Sequence, residues 1–272
     1  MLFRSAACAA QPQPAPLAVE AVKPGVYWAQ GGSGANVGIL VGAKEAVVID
    51  AKMTAESAQA VLAEVRKLTP NPVRYLILTH SDGDHVNGLT GFPQGLRIVA
   101  HPNCRADLQA APNAAALEPW LPNEMAEGKS TLKLEGLKVE LLHFGPAHTS
   151  GDLVVWLPAR KVAFVGDLVF LGREPLIHLH KRGTSLGVAH TLKKLLELDA
   201  DAYISGHAGP AGKEEVRGLL VSLEEKQAKV GAMIRQGKTL DEVKREFGVA
   251  AGAGQRRPGL IEVIYGDLSG KR

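Results

Sequence analysis

The shortages in this chain of 272 residues each close off a class of function. It has only two cysteines, Cys8 and Cys104, too few for the multi-disulfide framework of a small secreted scaffold. No apolar run approaches the ~20 residues that a membrane-spanning helix needs. The formal net charge is only +3, with no dense basic block, so a nucleic-acid partner is not expected. No G-x-S-x-G turn is present, which argues against a serine nucleophile on an elbow of that type. No short repeat is visible either. What the chain does have is apolar residues at 46%, enough to build the core of one α/β domain of ordinary size.

The pattern along the chain alternates strand and helix signals. Apolar runs Gly25–Ala29, Asn36–Val41 and Glu45–Asp50 read as strands. Residues Ala55–Leu68 carry Ala58, Val61, Leu62 and Val65 at helical spacing, and Pro70 stops them. Val73–Leu78 is a further strand, Pro102 opens a helix running to Ala110, and the Pro-rich stretch 111–130 reads as loop. Strand-like runs follow at Thr131–Leu134, Lys138–Phe144, Leu153–Leu157 and Lys161–Val165. Helical stretches cover Ser185–Leu198 and Lys213–Arg235, and Thr239-Leu240-Asp241-Glu242 has the form of a capped helix start. Interleaved strands and helices predict an α/β layer fold. Residues 1–20 are expected to be a tail or the remnant of a signal peptide, ahead of one domain over 21–272. Ala7-Cys8-Ala9 has the small-x-small form of a signal-peptidase site, which points to a periplasmic or secreted protein. The segment before it is shorter than the usual apolar region of such a signal, which keeps a cytoplasmic location as the alternative.

Chemistry is concentrated in Thr79-His80-Ser81-Asp82-Gly83-Asp84-His85, directly after a strand. His80, Asp82, Asp84 and His85 are imidazoles and carboxylates, the ligands that suit zinc and related divalent metals. Three more such residues follow short apolar runs or turn-rich loops: His148, Asp167 and His207. Polar residues that share strand ends can converge at one edge of a sheet.

In this order the motifs resemble the metallo-β-lactamase superfamily, over roughly residues 24–267. The resemblance implies a four-layer αβ/βα sandwich and a metal-dependent hydrolase with two Zn2+ per chain. Carried over residue by residue, it assigns His80, Asp82 and His148 to one metal and Asp84, His85 and His207 to the other, with Asp167 between them. It further implies that a metal-bound hydroxide attacks the carbonyl of a small molecule, with Asp84 and His85 among the catalytic residues. A β-lactam or a lactone or ester is the favoured substrate. A thioester, as in glyoxalase II, is an alternative, as is an iron-dependent redox reaction on the same fold. A non-catalytic module would be expected to have lost its ligand residues. The chain departs from the family pattern at Asp82, where the motif has a second histidine. A carboxylate there adds a negative charge and a harder ligand, which admits iron or manganese at that position.

Around these residues the sequence leaves alternatives open. Asp50 either supports the metal loop or caps the helix that follows it. His178 and His180 either face a substrate or lie in solvent, and Lys181 and Arg182 either attract a substrate carboxylate or form a solvated charge pair. Trp120 is a candidate for a pocket rim. His101, His143 and His190 read as structural or surface residues, and Cys104 as a small, partly buried residue at a helix start. The oligomeric state is not legible.

Overall fold

The computed structural model describes residues 15–249 and 257–271; Cys8 and the Ala7-Cys8-Ala9 site lie outside these. Seven strands form the first sheet in chain order: β1 (Ala18–Lys23), β2 (Val26–Gln30), β3 (Val37–Val41), β4 (Ala46–Ile49), β5 (Val73–Ile77), β6 (Arg97–Ala100) and β7 (Glu124–Met125). Its outer helices are α1 (Ala55–Leu68), α2 (Gly83–Val86), α3 (Pro102–Gln109) and α4 (Ala114–Leu117). The second sheet has β8 (Lys129–Leu134), β9 (Leu137–Leu142), β10 (Val154–Leu157), β11 (Val162–Gly166) and β12 (Ala202–Ser205), ordered β12-β11-β10-β9-β8. It carries α5 (Ser185–Glu197), α6 (Lys213–Arg235), α7 (Leu240–Glu246) and α8 (Leu260–Ser269).

Three apolar clusters define four layers. Val61, Val65, Ile39, Val48 and Leu76 pack α1 on the outer face of the first sheet. Trp28, Leu40, Val47 and Ile77 meet Leu141, Val155, Phe164 and Ile204 between the sheets. Val154, Val165, Leu192, Leu220 and Ile264 pack the second sheet against α5, α6 and α8. Neighbours such as Ile39 and Leu40, or Val47 and Val48, therefore serve opposite faces, and both faces are buried. That is why the central strands read as continuous apolar runs and not as alternations. Each such side chain contributes about 1.5–3 kcal/mol by burial. This is the expected αβ/βα sandwich.

Helix α1 matches its expected span because every signal agrees: Thr54 accepts a hydrogen bond from the Ser57 amide at 3.2 Å, and Ala58, Val61 and Val65 form the buried stripe. Elsewhere the structure adds elements. Strand β1 begins at Ala18, inside the stretch expected to be tail, and none of its residues is buried, so it has no apolar period to read. The stretch 111–130 holds α4 and β7. Helix α8 was not expected from Leu260-Ile261-Glu262-Val263-Ile264, which is apolar enough to read as a strand. Its start is fixed by Glu262, which accepts from the Gly259 amide at 2.7 Å, and its apolar face packs into the helical layer of the second sheet. Cys104 is completely buried in α3, not partly so.

Strands β4, β5 and β6 are parallel, as are β11 and β12. Strand β9 runs in the direction of β11 because both are antiparallel to β10. The C-terminal ends of β4, β5, β9, β11 and β12 thus feed loops toward one edge, where ligands of open α/β sheets commonly bind.

Candidate metal centre

Those five strand ends deliver Asp50, the 79–85 loop, His148, Asp167 and His207. The structure gathers the seven ligand candidates into two adjoining groups: His80, Asp82, His148 and Asp167 in one, Asp84, His85 and His207 in the other, with ligand atoms within 4.8 Å of one another inside each group. Asp167 faces both, lying 3.2 Å from His85 through Oδ1, and 3.2 Å from His207 and 4.0 Å from His148 through Oδ2.

The hydrogen bonds fix which imidazole nitrogen points inward. His85 Nδ1 lies 2.8 Å from Asp50 Oδ2 and donates to it. His148 Nδ1 donates to the Leu176 carbonyl at 2.7 Å. Thr79 Oγ1 gives its proton to Asp50 at 2.8 Å and so accepts from His80 Nδ1 at 3.0 Å. In all three rings the Nδ1 proton is directed outward, leaving the Nε2 lone pair facing the cluster. His80 Nε2, His85 Nε2 and Asp167 Oδ1 are buried without a hydrogen-bond partner; the 3.2 Å between the last two is not an aligned bond. His148 Nε2 also lies 3.2 Å from Asp82 Oδ2, lone pair against carboxylate. Bare acceptors converging in a buried site fit a cation, and the donor set is that of divalent-metal sites.

Burial and the neighbouring His85 and His148 hold the His80 imidazole well below its ordinary pKa, in the neutral form that ligates metals. Hydrogen bonds to Asp167 and Asp84 push His207 up to about 9. Burial would raise the Asp82 carboxyl, but the surrounding imidazoles of His148, His178 and His80 outweigh it and hold the group far below the usual carboxylate range.

Asp50 sits at φ +66°, buried, with its carboxylate spent on the Thr79 amide (2.8 Å), the Thr79 hydroxyl and His85. Thr54, not Asp50, caps α1. Gly206 is required where it stands: a Cβ there would lie 2.5 Å from Asp167 Oδ1 and 2.6 Å from the His85 ring.

The structure separates the remaining candidates. His178 is buried, its Nε2 2.6 Å from Asp82 Oδ2, whereas His180 is exposed at the cleft. A turn at Leu179–Lys181 breaks the extended run that would have put both on one face. Lys181 Nζ is bonded to Asp82 Oδ1 at 2.7 Å and to the Ser81 carbonyl at 2.9 Å. Arg182 is paired with Asp107 at 2.9 Å and Ser150 Oγ at 3.0 Å. Trp120 donates to the Phe92 carbonyl at 2.9 Å and packs on the helix-side core of the first sheet, away from the cluster.

A cleft of about 400 Å³ opens above the cluster, with Asp82, Asp84, Asp167 and His207 in its floor and Arg173, Arg257, His180 and Leu176 on its walls. Nothing in the sequence singles out Arg173 or Arg257, since neither belongs to a motif and the chain brings them to the site from separate loops. Arg173 is positioned by stacking its guanidinium 4.4 Å from the Phe170 ring centroid.

A profile of the Metallo-beta-lactamase superfamily matches residues 31–207. The chain belongs to that superfamily. Among curated relatives it is 27% identical over 137 residues to the 2,4-dinitroanisole O-demethylase subunit alpha of Nocardioides sp. (strain JS1661), covering 50% of this chain and 40% of that protein. It is 28% identical over 176 residues to the hydroxyacylglutathione hydrolase GloC of Haemophilus influenzae, covering 60% of this chain and 80% of that one. A linear primary-alkylsulfatase of Pseudomonas sp. matches at 23% identity, with 64% of this chain and 42% of its own length covered. The chain thus spans about two fifths of the first and third of these. In structure, the inverting sec-alkylsulfatase Pisa1 from Pseudomonas sp. superimposes with a TM-score of 0.72 at 18% identity, over 92% of this chain and 50% of that one, which shows the shared fold. Superfamily relatives thus include hydrolases. Among the described residues no helix is long and apolar enough to cross a membrane.

Proposed function

We propose that the chain is a metal-dependent hydrolase of small acyl compounds, with two zinc ions as the resident metals and an ester, lactone, β-lactam or thioester carbonyl as the reacting group. The observation that carries this reading is the cluster beneath the cleft. Seven imidazoles and carboxylates converge there, with His80 Nε2, His85 Nε2 and Asp167 Oδ1 buried and unpartnered. His80, Asp82 and His148 would hold one ion, Asp84, His85 and His207 the other, and Asp167 would face both. A bound pair of zinc ions supplies Lewis acidity, bringing a water's pKa toward neutrality and stabilising negative charge on a carbonyl oxygen.

The protein's own groups supply orientation and proton handling. Asp50 aims His85 and the Leu176 carbonyl aims His148, so neither ring has to reorganise during turnover. Asp84 is partly open to the cleft, and despite burial its hydrogen bond to His207 keeps it ionised, so it is placed to take a proton at Oδ2. Arg173 and Arg257 are the cations of the cleft walls and would hold an anionic group of the substrate. That task passes to them because Lys181 and Arg182 are already paired within the protein. Likeness to the hydroxyacylglutathione hydrolase along 80% of its length favours keeping thioesters beside lactams and lactones.

The test is a panel of a chromogenic cephalosporin, an aryl lactone and an acyl thioester, assayed before chelation, after it and after zinc restoration. A rate lost to chelator and regained with zinc is expected for at least one member. Zinc-loaded protein that is inert to all three would overturn the reading.

A further inference from the structure

Asp82 stands where the motif has an imidazole, so the deeper metal position has one negative charge more than two histidines and a third would give it. The structure places a cation beside that charge. Lys181 Nζ lies 2.7 Å from Asp82 Oδ1, with side-chain exposures of 17% and 11%, so little solvent screens the pair. The other oxygen, Oδ2, faces the ligands, 3.2 Å from His148 Nε2 and 3.8 Å from His80 Nε2. It also accepts from His178 Nε2 at 2.6 Å. This ring therefore carries its proton on Nε2, the reverse of His80, His85 and His148, and supports Asp82 without offering a lone pair to the cluster.

Both partners come from one turn, and the same turn fixes His148. The Leu176 carbonyl holds the His148 ring at 2.7 Å, and the His178 amide donates to the His148 carbonyl at 2.9 Å. The Ser150 amide donates to the Lys181 carbonyl at 2.9 Å. Gly183 lets the strands of chain close up, since a Cβ there would lie 2.3 Å from the His148 carbonyl oxygen. Lys181 is thus held at its station by backbone, not left to find Asp82 by chance.

We propose that Lys181 is a built-in counter-charge to Asp82 that returns the deeper metal position to the charge of a three-imidazole set, with His178 fixing the aim of the carboxylate. The inference rests on the metal-site reading above. Its consequence runs against the simple expectation for a residue that holds a ligand in place. Any cation taken by Asp82 shares that carboxylate with Nζ and is repelled by it, so Lys181 weakens metal binding while leaving the bound ion more electrophilic.

The experiment measures zinc affinity by competition with a chromophoric chelator, with metal content counted directly. The part of the visible cobalt(II) bands that is lost in His148→Ala reports the position held by His80, Asp82 and His148. Lys181→Met is expected to bind metal there at least roughly tenfold more tightly than wild type, and Lys181→Arg to return to the wild-type value. Unchanged or looser binding in Lys181→Met overturns the proposal and leaves Lys181 as a structural tether. Should Lys181→Met not fold, Asp82→His is compared with Asp82→His/Lys181→Met. The double variant is expected to bind more tightly, because the lysine no longer faces the metal without its carboxylate; equal affinities overturn the proposal. Wild-type protein that takes up no zinc overturns the metal-site reading itself, whereas wild-type uptake with no effect at Lys181 overturns the counter-charge alone.

Discussion

The two halves of the candidate metal cluster are built to different plans. His80, Asp82 and His148 lie deep, none more than 11% exposed in its side chain, and a turn some hundred residues along the chain from the 79–85 loop secures Asp82 through His178 and Lys181. In the other half His85 is buried on Asp50, but Asp84 and His207 are about 30% open to the cleft. The half that follows the family pattern is the open one, and the half that departs from it is buried and surrounded by added partners. A substitution at a ligand position is thus compensated by residues outside any motif. A buried carboxylate without Lys181 and His178 would be left with unmet charge and hydrogen-bond demand, which folded proteins rarely tolerate.

The largest effect is expected where the two halves meet. Asp167→Ala removes the carboxylate that faces both, and turnover should fall by more than the roughly 10–100-fold typical of losing a group that merely supports a ligand. Circular dichroism should stay close to wild type, and retained turnover would show that the halves do not act together. Asp50→Asn acts on the open half directly, through His85, and reaches the deep half only by way of Thr79 and His80. An amide cannot accept from both Thr79 and His85 as the carboxylate does, and metal affinity in the open half should drop by about 10–100-fold. Chelator competition on each half would show whether the loss stays on that side. Gly206→Ala forces a methyl between Asp167 and His85, and should lower metal content with a smaller loss of thermal stability. Graded chelation sharpens the contrast further. The ion of the open half should leave first, giving a stage with about one equivalent of metal, and simultaneous loss of both would refute the asymmetry.

Much of this was legible in the sequence where local signals agree with the fold. The Ala55–Leu68 helix, the central strands and the order of the ligand residues all follow from short-range pattern, and the structure gathers His80, Asp84, His85, His148, Asp167 and His207 where strand ends suggested. The surroundings of Asp82 were not legible. Nothing near residue 82 announces that residues 178 and 181 will meet it, because that contact depends on a turn at Leu179–Lys181 and an αL residue, Arg182. The same distance in sequence hid Arg173 and Arg257. Charge alone made Lys181 and Arg182 look available to a substrate, whereas their acidic partners in the fold, Asp82 and Asp107, are 99 and 75 residues away.

Each half also leans on a lysine, half-buried Lys181 in one and fully buried Lys52 in the other, and the weakest test separates them. Lys181 meets a carboxylate, whereas Lys52 meets backbone oxygens, donating to Gly31 at 2.5 Å and Ala35 at 2.6 Å beneath the loop whose Ala35 amide binds the Asp84 carbonyl. Carbonyl dipoles compensate a buried charge less than a counter-ion does, and burial lowers Lys52 to about 8, against 10.5 for a free lysine, despite the attraction of Asp84. Between these values the unfolded chain binds the extra proton, so stability rises with pH across the window. Tyr203, pushed up to about 12 by burial, acts in the opposite sense above about pH 10, which confines the useful range to pH 8–10. Relative to Lys52→Met, wild type should gain roughly 2 kcal/mol there, read from denaturant melts at several pH values. His207, held up to about 9, loses its proton in the same range and lowers the stability of both proteins alike, so the difference between them isolates Lys52. Lys52→Met should be less stable wherever the stripped carbonyls of Gly31 and Ala35 cost more than the buried charge did. A wild-type profile parallel to the variant's would mean that the carbonyls hold the ammonium as well as water does, and that the two lysines differ less than their partners suggest.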